Sequence, residues 1–442
     1  MENLMQIGYG RADITPEDLV NLTGYGNDSI RVAQEIRDQL YATCIAFTDA
    51  EGNTGIVCTT DALNTYGGIM TPIRQAIADE FGIPFENINV AATHSHSTPA
   101  TWMDTPEMAK YREKFKAGVI EAARMAMEDR APGMIYVSGT PTERMNFIRH
   151  YKLADGSYAG ANFGDWRRGG VVGHASNNDS WVQVIKIDRV GAKSIVMVNW
   201  QAHPCFTGGI DKRVMSADYI SDLRSYIEKK TGARFAFFQG AAGNHNGVSF
   251  YARETRATDC KEYAELLGDY VLKALEAPVY VAGGKVQGIR RDVELDLDHS
   301  DDHLVPQAKV IWDEWVQTYD RPACNKRAQE ELGQNSIYAV SHILARATRP
   351  EKDTMSLFAL KVGDLAFACA PYEMFGESGM HIKEYAPYAM TFIMSCCNDS
   401  KSYLATKLAF GHGCYEVDSR WYPMGTAEKL ADEFVDMLKE IK

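Results

Sequence analysis

The run Val90-Ala91-Ala92-Thr93-His94-Ser95-His96-Ser97-Thr98-Pro99 decides how the rest of the chain is read. An apolar stretch that ends in two histidines one residue apart, followed by small hydroxyl residues and a proline, reads as a buried strand delivering imidazoles to its open end. Alternate residues on a strand point the same way, so His94 and His96 can face one cavity. An isolated His-x-His is more often a hydrogen-bonded pair at a rim than a metal site. Its meaning therefore depends on what other segments bring to the same rim.

Upstream, residues 40–47 and 55–61 form two β-rich runs around an Asp49-Ala50-Glu51-Gly52-Asn53 turn, which predicts a hairpin. Thr71-Pro72 supplies a cap and first-turn proline for a helix to Phe81, stopped by Gly82-Ile83-Pro84. Strand, helix, strand predicts parallel pairing of the Val57 and Val90 runs, with Asp61 and His94 at the same edge. Gly8-Tyr9-Gly10 and Gly24-Tyr25-Gly26 lack the third glycine and the flanking strand and helix of a dinucleotide fingerprint, and read as turns.

Downstream, Thr105-Pro106-Glu107 opens a long helix whose Met108, Tyr111, Phe115, Val119, Ala122 and Ala126 follow a helical period. Residues 146–180, with Arg149, Arg167 and Arg168, have no clear period and read as a lid or binding segment. Three further apolar strands run into chemistry. Ile195 to Trp200 leads to His203-Pro204, Phe235 to Phe238 to the glycine-rich turn 240–247, and Leu365 to Ala370 to Pro371-Tyr372-Glu373. Ser216-Ala217-Asp218 starts a helix capped by Gly232, and Thr426 caps the closing helix. The expected fold is α/β: a mixed, largely parallel sheet flanked by helices, with a metal site at the strand ends. One domain spans 1–442, with a helical insertion at about 299–335.

The chain's 442 residues, 45% hydrophobic and 24% charged, suit a sizeable core. A net charge of −13 excludes nucleic acid and anionic membrane surfaces as partners, leaving a small-molecule substrate and allowing a homo-oligomer. No apolar run is long enough for a membrane span or signal, so a cytoplasmic location is expected. Nine scattered cysteines, with no C-x-x-C pair, fit a reducing compartment better than a disulfide framework.

Together His94, His96, His203 and Glu373 are the nitrogen and oxygen set that zinc accepts with one position open. With Ala12-Asp13-Ile14-Thr15-Pro16, Phe147-Ile148-Arg149-His150-Tyr151, Ser216-Ala217-Asp218-Tyr219, Gly240-Ala241-Ala242-Gly243, Tyr403-Leu404-Ala405-Thr406 and Tyr415-Glu416, they resemble the catalytic domain of the neutral ceramidase family over essentially the whole chain. The resemblance implies a Zn2+ ion held by His94, His203, Glu373 and Tyr403. It also implies that Arg149 and Tyr415 line the reacting end of the substrate. His96 would then transfer the proton, and Asp218 would support a metal-bound imidazole.

The departures narrow the chemistry. Where ceramidases carry a serine assigned as nucleophile, Gly243-Asn244-His245-Asn246 places Asn246, whose amide cannot attack. His245 and Asn246 are expected to contact substrate beside Gly243. The family's C-terminal immunoglobulin-like domain and a secretion signal are not recognised, which argues against ceramide itself. The expected activity is zinc-dependent hydrolysis of an amide, lactam or ester of a small soluble substrate by metal-activated water. The alternatives are a metal-dependent lyase or isomerase, or a catalytically silent ligand-binding member of the same fold.

Overall fold

The computed structural model of the chain describes residues 4–26, 28–161, 169–209, 211–251, 254–257 and 259–442. Arg167 and Arg168 of the expected lid lie outside them. Four layers stack as helices, sheet, sheet, helices, and the alternation of side chains along the strands explains why. In the strand Tyr41–Thr48, Ala42, Cys44 and Ala46 face the helices Gly67–Phe81 and Pro106–Glu128, whereas Ile45 and Phe47 face the second sheet. In Ile195–Trp200, Val196, Val198 and Trp200 face the helices Tyr219–Thr231 and Cys260–Ala274, while Ile195 and Met197 join the core between the sheets. The second sheet does the same. Phe358, Leu360, Phe367 and Phe392 point inward, and Leu357, Ala359, Ala368 and Ile393 point to the helices Gly376–Tyr385 and Thr426–Glu440.

The first sheet has nine strands and runs Arg234–Gln239, Ile195–Trp200, Trp181–Arg189, Ala131–Pro141, Met5–Asp13, Tyr41–Thr48, Thr54–Thr60, Ile88–Ala92, with Val279–Val281 also paired to Ala131–Pro141. The mixed α/β class stands, but its balance is mainly antiparallel. Only the two outer pairs of that path, Ile195–Trp200 with Arg234–Gln239 and Thr54–Thr60 with Ile88–Ala92, are parallel. Those two are joined by helical crossovers, whereas the central strands follow one another through antiparallel ladders. The second sheet orders Val286–Asp296, Lys352–Val362, Leu365–Cys369 and Met390–Met394, with only the last pair parallel.

Several local expectations are corrected. Gly8 and Gly10 sit inside the strand Met5–Asp13, not in a turn: a Cβ on either would lie 1.8 or 1.9 Å from the Ala126 or Ala122 carbonyl oxygen of the long helix. Glycine there lets helix and sheet approach. The first helix starts at Gly67 rather than Thr71, its Gly67 amide donating to Asp399 Oδ1 at 2.8 Å. The closing helix has Gly425, at φ 98°, in the cap position that had been expected of Thr426. Residues 146–180 contain a small antiparallel sheet of Val171–His174, His150–Leu153 and Tyr158–Gly160. The helical stretch near 299–335 comprises Val305–Thr318, Arg321–Leu332 and Ile337–Ala347, packed around Ala308, Ile311, Cys324, Ala328 and Ile343.

The cysteines are not all thiols. Cys44 and Cys58 face each other in the antiparallel ladder of the hairpin and form a disulfide, because register brings their Cα atoms to 4.1 Å. No helix among the described residues is long and apolar enough to cross a membrane.

The two sheets are stitched at one end by polar groups. Asn199 donates to the Phe238 and Ile393 carbonyls and accepts from the Ile393 amide. The Ala92 amide donates to the Cys396 carbonyl at 3.0 Å and the Ser395 amide to that of Gln239 at 3.0 Å. The segments that follow Ala92, Trp200, Gln239 and Cys369 therefore leave their strands toward a common seam.

Candidate active site

His94 and His96 follow the strand Ile88–Ala92, His203 follows Ile195–Trp200, and Glu373 begins a two-residue strand just beyond Cys369. Main-chain bonds fix the delivery. The Thr93 amide donates to Thr60, that of His94 to Ala62 and that of His96 to Pro204, tying the first segment to its neighbours. His94 is held at φ 66°, a strained conformation for a non-glycine residue. Gly24, at φ 115°, lies against His96, where a Cβ would come within 2.8 Å of the ring carbon.

The imidazoles are oriented by the backbone. His94 Nδ1 lies 2.8 Å from the Leu63 carbonyl, His96 Nδ1 2.8 Å from that of Gly24, and His203 Nδ1 3.1 Å from that of His245. A carbonyl only accepts, so each Nδ1 carries the proton and each Nε2 presents a lone pair. The three rings offer ligand atoms within 4.8 Å of one another, and the group could hold a metal ion.

Glu373 joins them. Its Oε2 is 3.1 Å from His94 Nε2 and 3.2 Å from His203 Nε2, and His96 Nε2 is 3.4 Å from His94 Nε2. These are acceptors facing acceptors in a buried pocket, and neither Glu373 Oε2 nor His203 Nε2 has a hydrogen-bond partner. Something positive belongs between them. Burial opposes a charge on His94, but Glu373 and Cys396 raise its pKa well above the ordinary imidazole value. Burial and the neighbouring His94 and His203 push His96 well below that value, and burial with Arg149 brings His203 to about 4. Two buried neutral imidazoles, a third anchored in the same tautomer and an orphaned carboxylate oxygen make a donor set suited to a divalent ion.

Tyr403 pairs directly with Glu373 in a short parallel bridge, which sets the phenol beside the carboxylate. Its oxygen accepts from Arg149 Nη2 at 3.1 Å, and the same nitrogen donates to the Gly243 carbonyl at 2.8 Å. Arg149 Nη1 reaches Asn246 Oδ1 at 3.5 Å. Tyr415 stacks edge-on to Tyr403 with ring centroids 5.8 Å apart, and burial pushes its phenol up to about 12. Gly243, Asn246, Arg149, Tyr403 and Tyr415 thus share one wall.

His245, expected at the substrate, and Asp218, expected behind an imidazole, make other contacts. The His245 ring turns away from the three histidines: its Nε2 accepts from the Asp179 amide at 3.1 Å and its edge abuts Gly376. The His245 carbonyl anchors the His203 ring. Asp218 caps the helix Tyr219–Thr231, and its Oδ2 accepts from the Thr207 amide and hydroxyl, both at 2.7 Å, rather than from an imidazole.

Sequence reasoning passed over two residues. Glu416 is buried with its Oε1 2.5 Å from Arg149 Nε and its Oε2 2.6 Å from His150 Nε2. Burial works against its charge, but Arg149 and His150 hold its pKa down to about 2. Both residues adjoin positions already singled out, Tyr415 and Arg149, and that adjacency was the available signal.

Residues 5–233 match the sequence profile described as neutral/alkaline non-lysosomal ceramidase, N-terminal. No curated protein matches the sequence. Among solved structures, the chain is similar to a neutral ceramidase from Pseudomonas aeruginosa, with a TM-score of 0.74 at 17% identity over 100% of this chain and 75% of that one. A structure described as ceramidase complexed with C2 is similar at a TM-score of 0.73 and 16% identity, again over 100% of this chain and 75% of the other.

Proposed function

The chain belongs to the neutral/alkaline non-lysosomal ceramidase family, and from that premise we propose that it is a zinc-dependent hydrolase of an amide, lactam or ester bond in a small soluble substrate. The observation that supports this reading is the gathering of three imidazoles, their ligand atoms within 4.8 Å of one another, beside a buried carboxylate oxygen, which lies 3.1 and 3.2 Å from two of their Nε2 atoms and makes no hydrogen bond. His94, His203, Glu373 and Tyr403 would hold the ion, with His96 beside them. A bound zinc ion supplies positive charge that polarises an acyl carbonyl and acidifies water.

The chain's own residues account for the remaining steps. His96, its Nδ1 proton committed to Gly24, takes a proton at Nε2 and returns it to the leaving group. Arg149 and Tyr415 face the acyl oxygen as charge develops there. Asn246 positions the substrate through its amide; it does not act as a nucleophile.

Metal analysis of the purified protein, followed by a screen of acyl amides, lactams, esters and ceramide with His94→Ala as control, tests the proposal. Bound zinc and turnover, both lost in the variant, are expected. Zinc with isomerised or eliminated product, or binding of substrate analogues without turnover, would refute hydrolysis.

A further inference from the structure

Behind Arg149 runs a buried chain of polar side chains, Glu416, His150 and His412, that the proposed reaction does not use. Arg149 presents its Nε edge to Glu416 Oε1 at 2.5 Å, which leaves Nη2 for Tyr403 and Gly243 and Nη1 for Asn246. Glu416 is fixed at its other oxygen by His150 Nε2 at 2.6 Å. His150 in turn meets His412 Nδ1 through its own Nδ1 at 3.1 Å, and the His412 ring packs on Tyr158 with centroids 4.3 Å apart. Glu416 is hydrogen-bonded by His150 at one oxygen and paired in charge with Arg149 at the other, and that buried ion pair holds the guanidinium with its fork toward Tyr403 and Gly243.

We infer that Glu416, held by His150, is a positioning residue that aims Arg149 at the Tyr403 phenol. The inference rests on the preceding reading, in which Tyr403 is a ligand. The guanidinium donor 3.1 Å from the phenol oxygen fixes where that oxygen sits, so the chain sets the ligand's position from behind. Partners that orient a ligand this way typically govern metal affinity by about 10- to 100-fold. A purely structural ion pair would not need its far end to finish on the site wall.

The test uses the full-length protein with Glu416→Gln, His150→Gln, Arg149→Lys and the Glu416→Gln/Arg149→Lys double variant. Zinc affinity is read by competition with a chromogenic chelator, and folding by thermal melting. Glu416→Gln and His150→Gln are expected to weaken zinc roughly 10- to 100-fold, and the double variant to bind no more weakly than Arg149→Lys alone. Unchanged zinc affinity in either folded glutamine variant, or losses that multiply in the double variant, overturns the inference. A wild-type protein that binds no zinc would refute the preceding reading instead, and the positioning arm is then judged without metal. A crystal structure of Glu416→Gln should show Arg149 moved off Tyr403, and retention of that contact overturns the inference.

Discussion

At the scale of single residues, what matters is which atom each side chain presents. Asn246 lies within reach of Arg149 Nη1, on the wall shared with Tyr403 and Gly243. If it positions substrate, its contribution is the same in ground and transition states. Asn246→Ala should then raise KM roughly 2- to 10-fold with kcat within about twofold, as expected for one neutral hydrogen bond. Steady-state kinetics on the best substrate checks this, and a kcat collapse would place the amide in the chemistry. The histidines were readable because each terminates an apolar strand, a pattern that survives without coordinates. The role of Glu416 was not, because adjacency to Tyr415 does not show that its carboxylate meets Arg149 and His150 from another part of the chain. His245 was misread for the opposite reason: a glycine-rich turn predicts closeness to a ligand but not which way the ring points.

At the scale of elements, the short helix Tyr415–Asp418 couples the site wall to the helical stretch Val305–Thr318, Arg321–Leu332 and Ile337–Ala347. Asn335 Nδ2 donates to Asp418 Oδ2 at 2.7 Å, and Arg346 Nη1 donates to the Asp418 carbonyl at 3.2 Å. Burial raises the Asp418 carboxyl to about 7, with Asn335 and Arg420 opposing. A carboxyl whose folded pKa lies above its unfolded value of 3.8 is stabilising while protonated in both states. That stability is full below the unfolded value and is lost as pH rises through about 7. Asp418→Asn should remove this decline, on the order of a few kcal/mol, from urea melts taken between pH 4 and about 8. A parallel decline in the variant would exclude Asp418 as its source. The hairpin, the long helix and the Asp218 and Gly232 caps were legible from local chemistry. The start of the helix Gly67–Phe81 was not, because its amide partner, Asp399, is far away in sequence.

For the whole molecule, the proposed ligands come from both sheets: His94 and His203 from the first, Glu373 from the segment after a strand of the second. A cation there would add a bridge between layers that also meet through apolar packing, the Asn199 contacts and main-chain bonds such as Ala92 to Cys396. Ligand that binds only the folded chain stabilises it by about 2.7 kcal/mol at 100 times Kd, or about 3 °C of Tm for a chain this long. Zinc should therefore raise one cooperative transition in the wild type and leave that of His94→Ala unmoved, by scanning calorimetry. The α/β class was legible, but the antiparallel majority was not, since apolar runs show burial and not direction. One consequence concerns mutational robustness. The atoms that choose the tautomer of all three imidazoles are peptide oxygens, of Leu63, Gly24 and His245, and a peptide oxygen survives every substitution of its own residue. Genetic damage to this pocket would thus arrive as shifts in loop shape, and positions such as Gly24, remote from any chemistry in their own right, should tolerate fewer replacements than the histidines' neighbours would suggest.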